Sequence, residues 1–127
     1  LKKVERLTKK SLSQILNGKI SSPQPALFVV KFYSVRCHYC HALQRDYIDL
    51  AEKHKDVYFF AFNIDDQPGI QKVIGFEGVP TICTVLVGEK RPKVKIIPDP
   101  SEPHPKKWYH VGDINSFINK EKNQNEY

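Results

Sequence analysis

The chain has 127 residues, 40% hydrophobic and 27% charged, which fits one globular domain and excludes a collagen-like or wholly disordered polypeptide. Lys and Arg number 20 against 14 Asp and Glu, a formal net charge of +6; with no long basic block, this excess reads as a solvated basic surface rather than a nucleic-acid site. The longest wholly apolar run, Val57 to Phe62, falls far short of the ~18 residues of a membrane span, and 3 Cys are too few for a disulfide scaffold.

From the start, Thr8 followed by Ser11, Leu12, Ile15 and Leu16 predicts a short amphipathic helix capped by Thr8 and stopped at Asn17-Gly18. Ser21 to Pro25 is a loop. Leu27 to Tyr33 is almost continuously apolar, β-branched and aromatic, the pattern of a buried central strand. Leu43, Tyr47, Leu50, Ala51 and His54 then recur at helical spacing, with Arg45, Asp46, Asp49, Glu52 and Lys53 on the opposite side, an amphipathic helix of about four turns. Val57 to Ile64 is a second apolar strand, which makes a βαβ unit with parallel strands. Pro68 to Ile74 is a short helix ended at Gly75. Thr81 to Val87 and Lys93 to Ile97 form an antiparallel hairpin around Gly88-Glu89. Pro98 to Lys107 holds four prolines and is an irregular loop. Asp113 to Lys122 is a terminal helix with Ile114, Phe117 and Ile118 inward, and residues 123–127 are a polar tail. With no Met and no basic-then-apolar leader, the chain is expected to begin downstream of a removed segment.

The chemistry lies in Cys37-His38-Tyr39-Cys40, between the buried strand and the long helix. The first cysteine then falls at a helix N-terminus, where unpaired N–H groups and the macrodipole favour its thiolate, with a pKa below ~8.5. The second lies one turn deeper, more protected and close enough to pair. One reactive and one protected thiol is what dithiol exchange requires. Three other readings compete, one of them a pair of inert buried cysteines, which the reactive position at the helix start disfavours. Cys37-x-x-Cys40-His41 is also the haem-attachment spacing, with His54, His104 or His110 as axial ligand, but the strand before it and the βαβ unit around it disfavour that reading. A zinc site lacks a second cysteine pair. Cys83 reads as a core residue, and the single Trp, Trp108, as packing.

The stretch Phe32 to Leu43 resembles the active-site segment of the thioredoxin superfamily, most closely protein disulfide isomerase domains, and Gly78-Val79-Pro80-Thr81 matches the family's segment at its cis-proline. The resemblance implies a thioredoxin fold over residues 1–122: an α/β domain with a mixed four- to five-stranded sheet flanked by helices, and with residues 98–110 as a Pro-rich loop. It implies Cys37 as the attacking thiolate, Cys40 as the resolving thiol, and Val79 and Pro80 as the place where an extended protein substrate binds. No cofactor or metal is expected beyond the redox-active cysteine pair. Partners are expected to be proteins or peptides with disulfides or thiols, with no nucleic acid, no membrane within this segment and a monomeric chain. The isomerase-like motif points to an endoplasmic reticulum or other secretory lumen, with the cytoplasm as alternative.

Four positions depart from the family. Arg36 stands where Trp is usual, and its charge favours the Cys37 thiolate. Lys31 stands six residues before Cys37, where the family carries a buried acid; it either accepts a proton as a desolvated neutral amine or snorkels to the surface. His38 and Tyr39 fill positions usually held by Gly-His and narrow the approach. These departures leave a second reading open, a binding module whose redox role is minor.

Overall fold

The computed structural model describes residues 4–124. Five strands form one sheet in the order β1-β3-β2-β4-β5. In chain order the elements are β1 (Val4–Arg6), α1 (Lys9–Leu16), β2 (Ala26–Tyr33), α2 (His38–Lys53), β3 (Tyr58–Asn63), a 3₁₀ turn (Ile64–Asp66), α3 (Ile70–Ile74), β4 (Thr81–Val87), β5 (Lys93–Ile96) and α4 (Val111–Gln124). β2 lies parallel to β3 and antiparallel to β4. It is therefore hydrogen-bonded on both edges, and a core covers each of its faces, which explains its almost continuously apolar sequence.

The two faces of β2 carry separate cores because successive side chains alternate. Leu27 and Val29 pack with Leu43, Tyr47 and Leu50 of α2 and with Ile114 and Ile118 of α4. Val30 and Phe32 pack with Leu12 and Ile15 of α1, Phe62, Ile70 and Phe76. Thr8 caps α1 by accepting a hydrogen bond from the Ser11 N–H at 3.0 Å. Gly75 ends α3 with φ of 100°, the left-handed turn that suits glycine.

Most elements match the sequence expectation within a residue or two, and three points differ. β1 was not expected: it has three residues and pairs with β3 through Val4 and Phe59. α3 begins at Ile70 rather than Pro68. α4 continues through Gln124, two residues into the expected polar tail, whose remaining residues 125–127 lie outside the described part.

The Pro-rich segment is irregular and also well tied. His104 and Trp108 exchange backbone hydrogen bonds of 2.9 and 3.0 Å, and the His104 ring nitrogen Nδ1 accepts from the Lys106 and Lys107 N–H groups, each at 3.1 Å. Lys107 reaches Asp46 on α2 at 2.9 Å, and Tyr109 is buried in the core beneath. Among the described residues no helix is long and apolar enough to cross a membrane.

Candidate active site

Cys37 is the N-cap of α2. Its Sγ accepts a hydrogen bond from the Cys40 N–H at 3.1 Å, and its carbonyl accepts from the His41 N–H at 3.2 Å. Cys37 thus satisfies one orphan donor of the helix start, the Cys40 N–H, through its sulfur, and accepts the first regular helix bond through its carbonyl; the macrodipole adds positive potential at the same sulfur. The turn before it is held by the Cys37 N–H donating to the Ser34 carbonyl at 3.1 Å, and by the His41 ring on the Val35 carbonyl at 2.7 Å. That histidine contact locks the motif loop onto the helix and was not anticipated.

Cys37 and Cys40 are joined in a disulfide with Cα atoms 5.2 Å apart. Cys37 is partly exposed, whereas Cys40 is buried. Cys37 Sγ lies 3.7 Å from the Val79 carbonyl oxygen, and the Val79–Pro80 peptide bond is cis. β2, α2 and the start of β4 therefore bring the two sequence motifs, more than forty residues apart, to one point.

Beneath Cys40 lies a cavity of about 350 Å³ lined by Lys31, Tyr33, Tyr47, His41 and Arg6, among others. Lys31 is 6% exposed and does not snorkel to the surface. Its ammonium lies 5.1 Å from the centre of the Tyr47 ring and 5.9 Å from that of Tyr33. Burial lowers its pKa from 10.5 to about 8. Arg6, at the cavity edge, is paired with Asp66 at 2.9 Å.

Arg36 and His38 are exposed at the lip of the site. Tyr39 is half-exposed and its ring meets Trp108 at 5.6 Å between centres. Trp108 thus belongs to the rim of the site as well as to the packing of the core behind it. Only its position as the lone Trp at the end of the Pro-rich segment offered a clue. Cys83 is buried in the core, where desolvation raises its pKa to about 12, so it is unreactive.

The thioredoxin family model matches residues 3–99. The chain belongs to the thioredoxin family. The match stops at the Pro-rich segment, so the lobe carrying Trp108 falls outside it. An H-type thioredoxin of Brassica campestris is 30% identical over 80 residues, 61% of this chain and 65% of that protein. A thioredoxin of Alternaria alternata, AMT13, is 26% identical over 65 residues, 51% of this chain and 55% of its own length. The matches thus span less than two thirds of these curated relatives. Among solved structures, the Trx4 domain of ERdj5 superimposes with a TM-score of 0.71 at 14% identity, covering 96% of this chain and 97% of that one. Chloroplastic thioredoxin z gives 0.65 at 17% identity, with 96% of each chain covered. At these identities the structural likeness establishes the thioredoxin fold.

The histidines named as axial haem ligands are otherwise engaged. Both His54 ring nitrogens have partners, Asn115 at 2.7 Å and Lys122 at 3.0 Å; His104 accepts from two backbone N–H groups, and His110 bonds the Glu102 carbonyl at 2.6 Å. With both Cys37 and Cys40 sulfurs bonded to each other, this geometry favours a redox pair over thioether attachment.

Proposed function

We propose that this domain is a protein thiol–disulfide oxidoreductase that donates or shuffles disulfides. One observation carries the reading: a partly exposed Cys37 caps a helix, is paired with buried Cys40, and faces the Val79 carbonyl. In the reducing direction the Cys37 thiolate attacks one sulfur of a substrate disulfide. A Cys37–substrate bond forms, the substrate's own S–S bond breaks, and the leaving thiolate takes up a proton. Cys40, as thiolate, then attacks Cys37 Sγ; the internal disulfide forms and the second substrate thiol leaves. The substrate gains two electrons and the domain loses two. The reverse sequence donates a disulfide, and the cysteine pair itself is the only redox group required.

Val79 and Pro80 are assigned to binding an extended substrate backbone beside Cys37. Arg36, His38 and Tyr39 modulate the site, the first two by charge and Tyr39 by bulk. Lys31 is assigned as the proton acceptor for Cys40. Both border the same cavity, which is large enough for water to link them. With its pKa at about 8, about a tenth of Lys31 is neutral at pH 7, enough to act as a base that equilibrates quickly.

Refolding of scrambled ribonuclease tests the shuffling reading. The domain, added in a glutathione buffer, is expected to raise the rate of activity recovery, and Cys37→Ala is expected to abolish the gain. Rapid reduction of insulin without any gain in ribonuclease recovery would instead make it a reductase. No effect in either assay would favour the binding-module reading, for which the missing buried acid at Lys31 is the motive.

A further inference from the structure

We propose that the cleft between the Pro80 loop and the Pro-rich lobe selects substrate segments that carry an arginine or lysine next to the cysteine under attack. The proposal rests on thiol–disulfide exchange as the domain's activity and names the kind of substrate that exchange prefers.

The cleft measures about 630 Å³, and its lining includes Tyr39, Glu77, Val79, Pro80, Asp99 and Trp108. It adjoins the reactive sulfur, because the Val79 carbonyl on its wall is 3.7 Å from Cys37 Sγ. A substrate cysteine bound to Cys37 therefore sends its chain neighbours into this space.

Charge identifies the occupant. The chain as a whole carries a formal charge of +6. Yet among the described residues that line the cleft, the two charged ones, Glu77 and Asp99, are both acidic. An acidic spot on a basic protein is a local trap for a cation and rejects an acidic segment. Tyr39 and Trp108 add a second attraction. Their rings, 5.6 Å apart, border the same cleft, and the faces of aromatic rings attract ammonium and guanidinium groups. Arginine satisfies both features at once, since its planar fork pairs with carboxylates and stacks on rings.

The wall is built before any substrate arrives. Trp108 holds φ of 66°, an uncommon conformation for a bulky residue. It is kept there by its paired backbone hydrogen bonds with His104, and its indole N–H donates to Asp99 Oδ1 at 3.2 Å. The Lys107–Asp46 ion pair fastens the lobe to α2. Little ordering is left to be done on binding, which is the condition for a modest attraction to appear as selectivity.

The test uses the reduced full chain and three disulfide peptides, identical except for Arg, Gln or Glu beside the attacked cysteine. Each kcat/KM is divided by the rate of dithiothreitol with the same peptide, which removes intrinsic differences in disulfide reactivity. Arg is expected to exceed Glu by about five- to tenfold, with Gln between, as one screened ion pair plus one cation–π contact implies. In the chain carrying both Glu77→Gln and Asp99→Asn the ratio is expected to fall below about twofold, while the amide oxygen introduced by the second substitution still accepts the indole N–H. Salt at about 0.5 M is expected to shrink the ratio in the parent chain. Equal rates for the Arg and Glu peptides, or a ratio unchanged in the double variant, would overturn the proposal. Bis(2-hydroxyethyl) disulfide, small and uncharged, separates the two levels. If it reacts while the peptides are not distinguished, only the selectivity fails; if neither it nor any peptide reacts, the exchange reading fails and takes the selectivity with it.

Discussion

Lys31 stands directly opposite Ala61 on the neighbouring parallel strand, so the cross-strand position that could have supplied a carboxylate supplies a methyl group. On its other side β4 presents Ile82. A buried ammonium is thus left facing two tyrosine rings and a cavity, and its charge is held against a desolvation cost.

That cost has a definite pH dependence. The folded state holds Lys31 at about 8 against 10.5 for the free side chain. Between these values the unfolded chain binds the proton more tightly, so stability rises with pH across that window, and below about 8 the penalty is fully present. It amounts to at most about 3 kcal/mol at pH 7, lessened by the ring contacts. Lys31→Met is therefore expected to be more stable than the parent at pH 7 by about 1–3 kcal/mol. Urea unfolding at several pH values should show that advantage shrinking as pH rises from 8 towards 10.5. A Met variant less stable than the parent at pH 7 would contradict the assignment.

The same substitution separates two catalytic roles. If neutral Lys31 takes the proton from Cys40, release of the mixed disulfide rises with pH and levels near 8 in the parent. In Lys31→Met it is expected to be about 100-fold slower at pH 7, with the levelling moved to higher pH and with Cys37 attack nearly unchanged. Lys31→Arg decides between base and charge: a permanent cation cannot accept a proton, so it is expected to be as slow as Met. Full rescue by Arg, read by acid-quenched trapping of the mixed disulfide, would show that only the charge matters.

Tyr47 supports this arrangement from α2. Its hydroxyl donates to the Phe60 carbonyl at 2.6 Å and lies 3.2 Å from the Val29 carbonyl, which ties the helix to β2 and β3. Tyr47→Phe keeps the ring and removes these contacts at a buried site. The expected loss is about 1–2 kcal/mol in urea unfolding. A loss below about 0.3 kcal/mol would mean that these contacts add nothing to the packing of the ring.

How much of this was readable beforehand follows from where the signals lie. β2, β3, β4 and α2 announce themselves by long apolar runs or by helical spacing. The Cys37 and Pro80 motifs could be placed together only through a family resemblance, because nothing local links them. β1 was hidden because three residues, with Glu5 and Arg6 exposed, carry no period. Lys31 is a lone charge in an apolar strand, and alternation puts it on the face with Leu27 and Val29; only the structure shows that α2 covers that face completely enough to bury the amine. Trp108 and Asp99 were not legible as site residues, since a Pro-rich lobe folds by individual hydrogen bonds and not by a repeating pattern, and Glu77, in the loop before Pro80, carries no local signal of its own.

Redox poise extends the electrostatic argument. A thiolate stabilised relative to that of thioredoxin raises the reduction potential, and the site offers an ammonium at Lys31 in place of a carboxylate, with Arg36 and His38 at its lip. Relative to about −270 mV for thioredoxin, a shift to roughly −240 to −180 mV is expected. Because Arg36 and His38 are exposed and screened, the more negative half of that range is favoured. Equilibration against glutathione buffers followed by thiol alkylation gives the value. A potential at or below about −270 mV would place the domain among reductases.

The division of labour between the two thiols can be read directly by mixing variants that each lack one cysteine of the pair with oxidised insulin and weighing the products by mass spectrometry. Cys40→Ala is expected to form a persistent adduct on Cys37 that dithiothreitol removes, while the parent chain forms it only in passing and Cys37→Ala, with Cys40 buried, forms none. An adduct on Cys40 of comparable yield, or no adduct from either variant, would contradict the assignment of Cys37 as the attacking thiolate.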